Sequence, residues 1–547
     1  MKRRRTAWVS AIAITAIALT GCSAQGNSDQ SGSGAKGGSN TLTYLEPQTW
    51  TTLYAPSGGF YPNGGILNQI TDRLLYQDPE SLELSPWIAE ELPEVNGDAT
   101  EYTFTIREGV TYSDGSPLDA ENVVKNFELY GKGDTDRGLP VSEAINNYDR
   151  AEAVDARTVK FFFTAPSPGF AQAVSTINSG LVSNDTLDRT SDEFGPGNAA
   201  EIIGSGPFVV DNEQIGQQLN LVTRDDYDWA PAARAHQGAA EIDGVNFILA
   251  AESSVRVGTV VAGQADIARQ IPAPDEVQFE APGLSIVAAS TNGVNNGLNF
   301  RFGHPLLEDI RVRQALIHAI DREQIVSTLF SGSYPLATGV LAQSALGYVD
   351  TSDYYEYDVA KAQALLDEAG WVVGSDGIRE KDGKKLELTF NEALPQPRSK
   401  DVVTLVQDQL SAIGVGVDII SGDQVAQDTA KQDIDTVQVY HSMVGRADFD
   451  VLKSQYYSTN RNSLLNLNGA TGELYDPELD ELLERIASVS TVEERQAASA
   501  AAQQHLAEQA YVLPFFEESQ VFGLTDRVQG FTTESIGRPS FYDVSLK

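Results

Sequence analysis

A chain of 547 residues with one cysteine cannot staple itself. Cys22 has no partner in the chain, so no internal disulfide can form. The fold must rest on burial and hydrogen bonding, which a chain of this length can supply. Its hydrophobic content of 41% is ample for real cores.

The position of Cys22 carries as much information as its solitude. Lys2-Arg3-Arg4-Arg5 opens the chain, an apolar run from Ala7 to Leu19 follows, and Leu19-Thr20-Gly21 leads into Cys22. A basic start, a short apolar stretch and small residues at the cut are the marks of a secretory leader. The apolar run is too short to span a bilayer comfortably. A cysteine directly after Leu-Thr-Gly resembles the bacterial lipobox, which implies a thiol carrying a diacylglycerol at the start of the mature chain. The domain expectation is therefore 1–21 as signal peptide and 22–40 as lipidated Cys22 with a linker. Gly26 to Asn40 holds no apolar residue larger than alanine, the composition of a flexible tether. It contains Gly32-Ser33-Gly34-Ala35-Lys36-Gly37, a formal GxGxxG, but no strand precedes it and no helix follows, so it is no dinucleotide site.

The formal charge is −39, and loss of the four basic leader residues lowers it to −43, with 34 basic against 77 acidic residues. Nucleic acid is disfavoured as a partner, because its phosphates need a basic surface. Such a charge serves the solubility of an exposed surface, and it can draw cationic solutes. The five histidines, His236, His304, His318, His441 and His505, form no close ligand pair, so no metal site is expected. No GxSxG elbow, P-loop or second cysteine points to catalysis, and no cofactor is expected.

The periodicities alternate. Tyr102, Phe104 and Ile106 are spaced as on a half-buried strand, as are residues 158–163 before Pro166. Ser113-Asp114-Gly115-Ser116-Pro117 reads as a turn. Asp119, Asp309, Asp321 and Asp358 stand where helix caps belong, Thr491 with Glu494 forms a capping box, and Asp476-Pro477 starts another helix. Val312, Ala315, Leu316, Ala319 and Ile320 share one helical face. Strands alternating with helices predict α/β lobes, about three at the usual domain size.

Several segments, in order, resemble the bacterial extracellular solute-binding protein family 5, the oligopeptide, dipeptide and nickel receptors of ABC importers. They are Tyr102 to Val123, Ile203-Gly204-Ser205-Gly206-Pro207-Phe208, Ala262 to Ala268, Asp309 to Leu316 with Ala319 to Arg322, and Ala360 to Trp371. The resemblance implies a two-lobed, type II periplasmic-binding-protein-like α/β fold with an extra small domain inserted in lobe I. Lobe I would take 41–78, 201–300 and 505–547, the inserted domain 79–200, and lobe II 301–504. It also implies a monomer that captures a peptide-like or other small organic solute between the lobes and delivers it to ABC permease subunits with cytoplasmic ATPases. It would be extracytoplasmic, tethered to the cell membrane through Cys22, and not an enzyme. The alternatives on the same scaffold are a surface-anchored hydrolase, and a peptide-binding chaperone or signalling receptor.

The resemblance also supplies candidate contacts. Peptide-binding members place an amine-pairing aspartate in a tryptophan-containing stretch of lobe II. The comparable stretch is Val439 to Asp450, where His441 replaces the tryptophan and the aspartate position falls near Val444 or Gly445. Free peptide amines are then disfavoured, and an anionic or apolar solute is expected. Arg446 offers a planar fork for a carboxylate or phosphonate, with an ion pair to Asp448 or Asp450 as its bland alternative. The remaining candidates are Tyr44, Glu46 and Tyr61 after the first strand, Asn295, Asn296 and Asn299 before Phe300, Tyr440, and Phe515 after Pro514. For each of these singly, core packing is the competing explanation.

Overall fold

A computed structural model describes residues 40–547 apart from Pro395 and Pro397. Cys22 and the tether before Asn40 lie outside the described residues.

Strand β1 (Thr41–Glu46) leads to helix α1 (Tyr61–Ile70). After a small hairpin, four short strands make one sheet: β2 (Glu94–Val95), β3 (Glu101–Thr105), β4 (Tyr148–Ala153) and β5 (Thr158–Phe163), with α2 (Ala120–Lys132) between β3 and β4. Then come β6 (Phe208–Gln214), β7 (Gln218–Thr223), β8 (Gly244–Leu249), β9 (Ile267–Arg269) and β10 (Leu284–Ser290). The chain crosses to β11 (Gly293–Phe300), β12 (Glu387–Asn391), β13 (Gly416–Ile420), β14 (Val439–Gly445) and β15 (Val512–Phe516), and returns as β16 (Ser519–Thr525).

These strands form two main sheets, one per lobe. The first is seven-stranded, in the order β10-β16-β9-β1-β8-β7-β6. β1 runs parallel to both β8 and β9, with Tyr44 opposite Phe247 and Ile267. The second sheet is five-stranded, in the order β13-β12-β14-β11-β15. β11 is antiparallel to both its neighbours. The chain thus passes between lobes twice, at Thr291-Asn292 and at Glu517-Glu518. These positions correct the expected boundaries. Residues 293–300 and 512–516 hydrogen-bond within the second sheet, whereas the family resemblance puts them in lobe I. The reason is that strand pairing is non-local, and a short apolar strand fits either sheet by pattern alone.

The four-stranded sheet, in the order β2-β3-β5-β4, packs with α2 around Phe104, Phe127, Phe161 and Phe170. Phe127 and Phe161 meet edge to face at 5.0 Å. Burying each such ring contributes about 1.5–3 kcal/mol. The rings belong to the same apolar cluster as Leu42 and Leu53, so this layer is built onto the first lobe's core rather than around one of its own.

Local signals act where the sequence places them. The Asp119, Asp309, Asp321 and Asp358 carboxylates each accept a backbone N–H of the first helical turn. The Thr491–Glu494 capping box is closed in both directions. Gly115 has φ +83, as its turn requires. The Gly204-Ser205-Gly206 turn needs glycine for space: a Cβ on Gly204 would lie 1.8 Å from the Ile70 carbonyl oxygen at the end of α1. Arg311 pairs with Asp309, and Arg313 binds the carbonyls of Leu307, Glu308 and Gln509, so both serve lobe II itself.

Candidate functional site

A cavity of about 610 Å³ lies between the two sheets, at the crossings. Its size is that of a small-molecule site. The first lobe contributes Gln48, Tyr61, Arg269, Gln520 and Arg538 to its wall. The second lobe contributes the end of β12 and the loop after it, Asn391 to Leu394, and residues Tyr440 to Ala447 on and after β14. Pro140, Val141 and Glu143 close one side from the four-stranded layer.

Most charges on this wall are already matched. Arg269 is nearly fully buried and grips Glu46 with Nε and Nη2, while Nη1 donates to Gln520 Oε1 at 2.9 Å. Its guanidinium lies 4.1 Å from the Tyr61 ring centroid, a cation–π contact. Arg538 binds Glu534 and the carbonyls of Gly58 and Gly59. Tyr61 begins α1, and its hydroxyl donates to the Gly537 carbonyl. Arg461 pairs with Glu143 across the cavity mouth, from lobe II to the four-stranded layer. Lys431 pairs with Asp428, and Glu392 lies 3.7 Å from Lys400. Arg446 Nε donates to Asp448, with side chains 14% and 2% exposed.

Glu518 differs. It sits in the second crossing, on the cavity wall, 5% exposed. Among the described residues it is the one acid of that wall with no ion pair. Burial pushes its carboxyl up to about 8, opposed only by a hydrogen bond from Asn296. Its backbone is fixed from the first crossing, where Thr291 N and Oγ1 both donate to the Glu518 carbonyl at 3.1 Å. Asn296 lies at an irregularity in β11, whose register shifts just before Gly297 against both neighbouring strands.

Behind Asn296 stands His441. Its Nε2 is 2.6 Å from Asn296 Oδ1, and its Nδ1 is 3.2 Å from Ser399 Oγ. Ser399 Oγ also accepts the Ala393 N–H. One proton arrangement satisfies this row: Asn296 donates to Glu518, His441 Nε2–H to Asn296, and Ser399 to His441 Nδ1. Burial holds the His441 imidazole down at about 3, so it stays neutral.

The profile of the bacterial extracellular solute-binding proteins, family 5, matches residues 83–463. The chain belongs to that family. Like other family 5 proteins it is a solute-binding protein of the ABC importer class, not an enzyme. It is 28% identical to the oligopeptide-binding protein AppA of Bacillus subtilis (strain 168) over 440 residues, 76% of each chain. It is 25% identical to the glutathione-binding protein GsiB of Salmonella typhimurium over 366 residues, 66% of this chain and 67% of that one. The solved structure of NikA from Brucella suis in complex with Fe(III)-EDTA superimposes with a TM-score of 0.76 at 21% identity, over 93% of this chain and 100% of the other. Such solved folds fit the two-lobed α/β architecture.

Within this family 5 chain the sequence candidates separate into two groups. Tyr61, Tyr440, His441 and Arg446 line the cavity. The others lie behind its wall. Asp448 sits beneath Arg446, and Glu46 beneath Arg269. Tyr44 is wholly buried in the first lobe, its hydroxyl on Glu46 and its ring edge-on to Phe247 and Phe541. Asn295 donates to the Gly339 carbonyl, Asn299 donates to Tyr440 O and Ser442 Oγ, and Phe515 is wholly buried. Sequence reasoning passed over Glu518, Arg269, Gln520, Arg538 and Asn391. A signal for Glu518 existed: Glu517-Glu518 follows five wholly apolar, buried residues without a turn residue between. Asp476, Glu478 and His505 come together within 4.8 Å, but Asp476 is engaged by His505 and Tyr511 and caps the helix beginning at Pro477.

Proposed function

We propose that this chain is the lipid-anchored, extracytoplasmic receptor of an ABC importer that captures a peptide-like or other small organic solute in the interlobe cavity. One observation carries the reading most: a polar-walled cavity of small-molecule size at the two crossings where the lobes join. Bending at Thr291-Asn292 and Glu517-Glu518 would close the lobes on a solute, as hinged binding proteins do. Residues 79–200 serve as the extra domain of lobe I and close one side of the cavity. Tyr61, Tyr440 and Arg446 are its proposed contacts, and His441 on the same wall braces Asn296. Two relatives named for binding an oligopeptide and glutathione favour a peptide-like solute. The monomer docks on permease subunits whose ATPases lie in the cytoplasm. Cys22 supplies the anchor, and no helix among the described residues is long and apolar enough to cross a membrane.

Native mass spectrometry of the protein taken from its host envelope tests the capture. A non-covalent one-to-one adduct that rebinds unchanged in mass supports the receptor. Conversion of that compound to product would support a hydrolase instead. The anchor is tested by Cys22→Ser in leader-cleaved protein, which should leave the membrane fraction, because only a thiol takes the diacylglycerol. Retention in the membrane contradicts the lipoprotein reading.

A further inference from the structure

From the geometry we infer that Glu518 is the cavity's acceptor for a cationic group of the solute, an ammonium or a guanidinium. The inference rests on the proposed capture of a solute in this cavity and adds the chemistry of one end of it.

The charge pattern on and beneath the wall leads there. Glu46, Glu143, Glu534 and Asp448 are each answered by an arginine. Glu392 has Lys400 and the Ser421 hydroxyl. Glu518 has one neutral donor, Asn296, and the open cavity. A buried carboxyl left without a cation is costly unless something else supplies the charge. Burial keeps it largely protonated at neutral pH. A ligand cation entering beside it would displace that proton to solvent and form a charge-assisted pair out of water.

The carboxyl is also held in place. Thr291 pins its backbone at the junction of both crossings, so the group sits where lobe motion is smallest. Asn296 Oδ1 is occupied by His441, which leaves its NH₂ to face Glu518. His441 and Asn296 are positioning residues in this arrangement. The competing acid, Asp448, is nine-tenths buried, lies outside the cavity wall and is balanced by Arg446.

The test is calorimetry on the full-length folded protein with two probe sets. One is a set of peptides of two to nine uncharged residues with free amino termini, and the other is the same set N-acetylated. The free-amine set should bind about 100-fold more tightly, and Glu518→Gln should erase that ratio. Asp448→Asn should leave the ratio in place. His441→Gln should shrink the ratio, whereas a purely structural role would weaken both sets equally. Acetylated peptides binding as well as free ones, or a ratio that survives Glu518→Gln and vanishes in Asp448→Asn, overturns the assignment. If neither set binds, the peptide reading fails, and agmatine and spermidine decide the acceptor. Their binding, lost in Glu518→Gln, keeps it; no binding of either overturns it.

Discussion

Arg446 looked from sequence like a fork for an anionic ligand, yet its Nε is spent on Asp448, two residues away and buried beneath it. Removing one partner of a buried pair leaves the other unpaired, at a cost of about 3–5 kcal/mol. Arg446→Ala should therefore lower the urea-unfolding free energy of the ligand-free protein by about that much, and unchanged stability would show that the pair holds nothing. Glu518 makes the opposite kind of prediction. Its carboxyl ordinarily titrates near 4.5 and in the fold near 8. The unfolded chain releases that proton first, so the group's contribution is intact below about pH 4.5 and is lost as pH rises through 8. Glu518→Gln should thus match the wild type in stability near pH 4, gain on it between pH 4.5 and 8 by up to about 5 kcal/mol, and hold that gain above. A constant difference across this range contradicts a raised carboxyl. His441 works in another window: depressed to about 3 from 6.5, it favours the fold above 6.5 and withdraws that support as pH falls toward 3.

At the scale of elements, what is decided by neighbours in sequence was legible, and what is decided across the fold was not. Asp309 caps its helix and Thr491 closes its box with Glu494 because the partners are two or three residues away. β11 was misplaced because its partners, Val439–Gly445 and Val512–Phe516, lie more than a hundred residues away. The three asparagines of β11 take different partners: Asn296 meets His441, Asn295 the Gly339 carbonyl, and Asn299 Tyr440 O and Ser442 Oγ, with the register shifting just before Gly297. No periodicity reveals a bulge before the partner strands are known. The Gly-Ser-Gly-Pro turn was legible as a turn, whereas its reason, contact with the end of α1, was not. Gly204→Ala would drive a methyl into the Ile70 carbonyl. It should cost about 3 kcal/mol or more, read as a lowered unfolding midpoint. A midpoint equal to the wild type's would mean that α1 and the turn can part freely.

Over the whole molecule, the single cysteine made the right demand, a fold held by burial, and the family segments gave the two lobes. They could not give the solute, because Tyr102, Asp114, Gly204 and Arg313 build the scaffold and touch no part of the cavity wall. Across the mouth, Glu143 meets Arg461 and the Gln77 side chain donates to the Ala447 carbonyl at 2.9 Å, two contacts that join the lobes. The ion pair is exposed and should be worth at most about 1 kcal/mol. Closure must therefore draw on the solute itself, which shifts the lobes only as far as it binds the closed form better. Small-angle scattering tests this most directly, on the protein free and saturated with the solute recovered from its host. The radius of gyration should fall on saturation. An unchanged radius, with calorimetry showing the site full, would contradict capture by closure of two lobes.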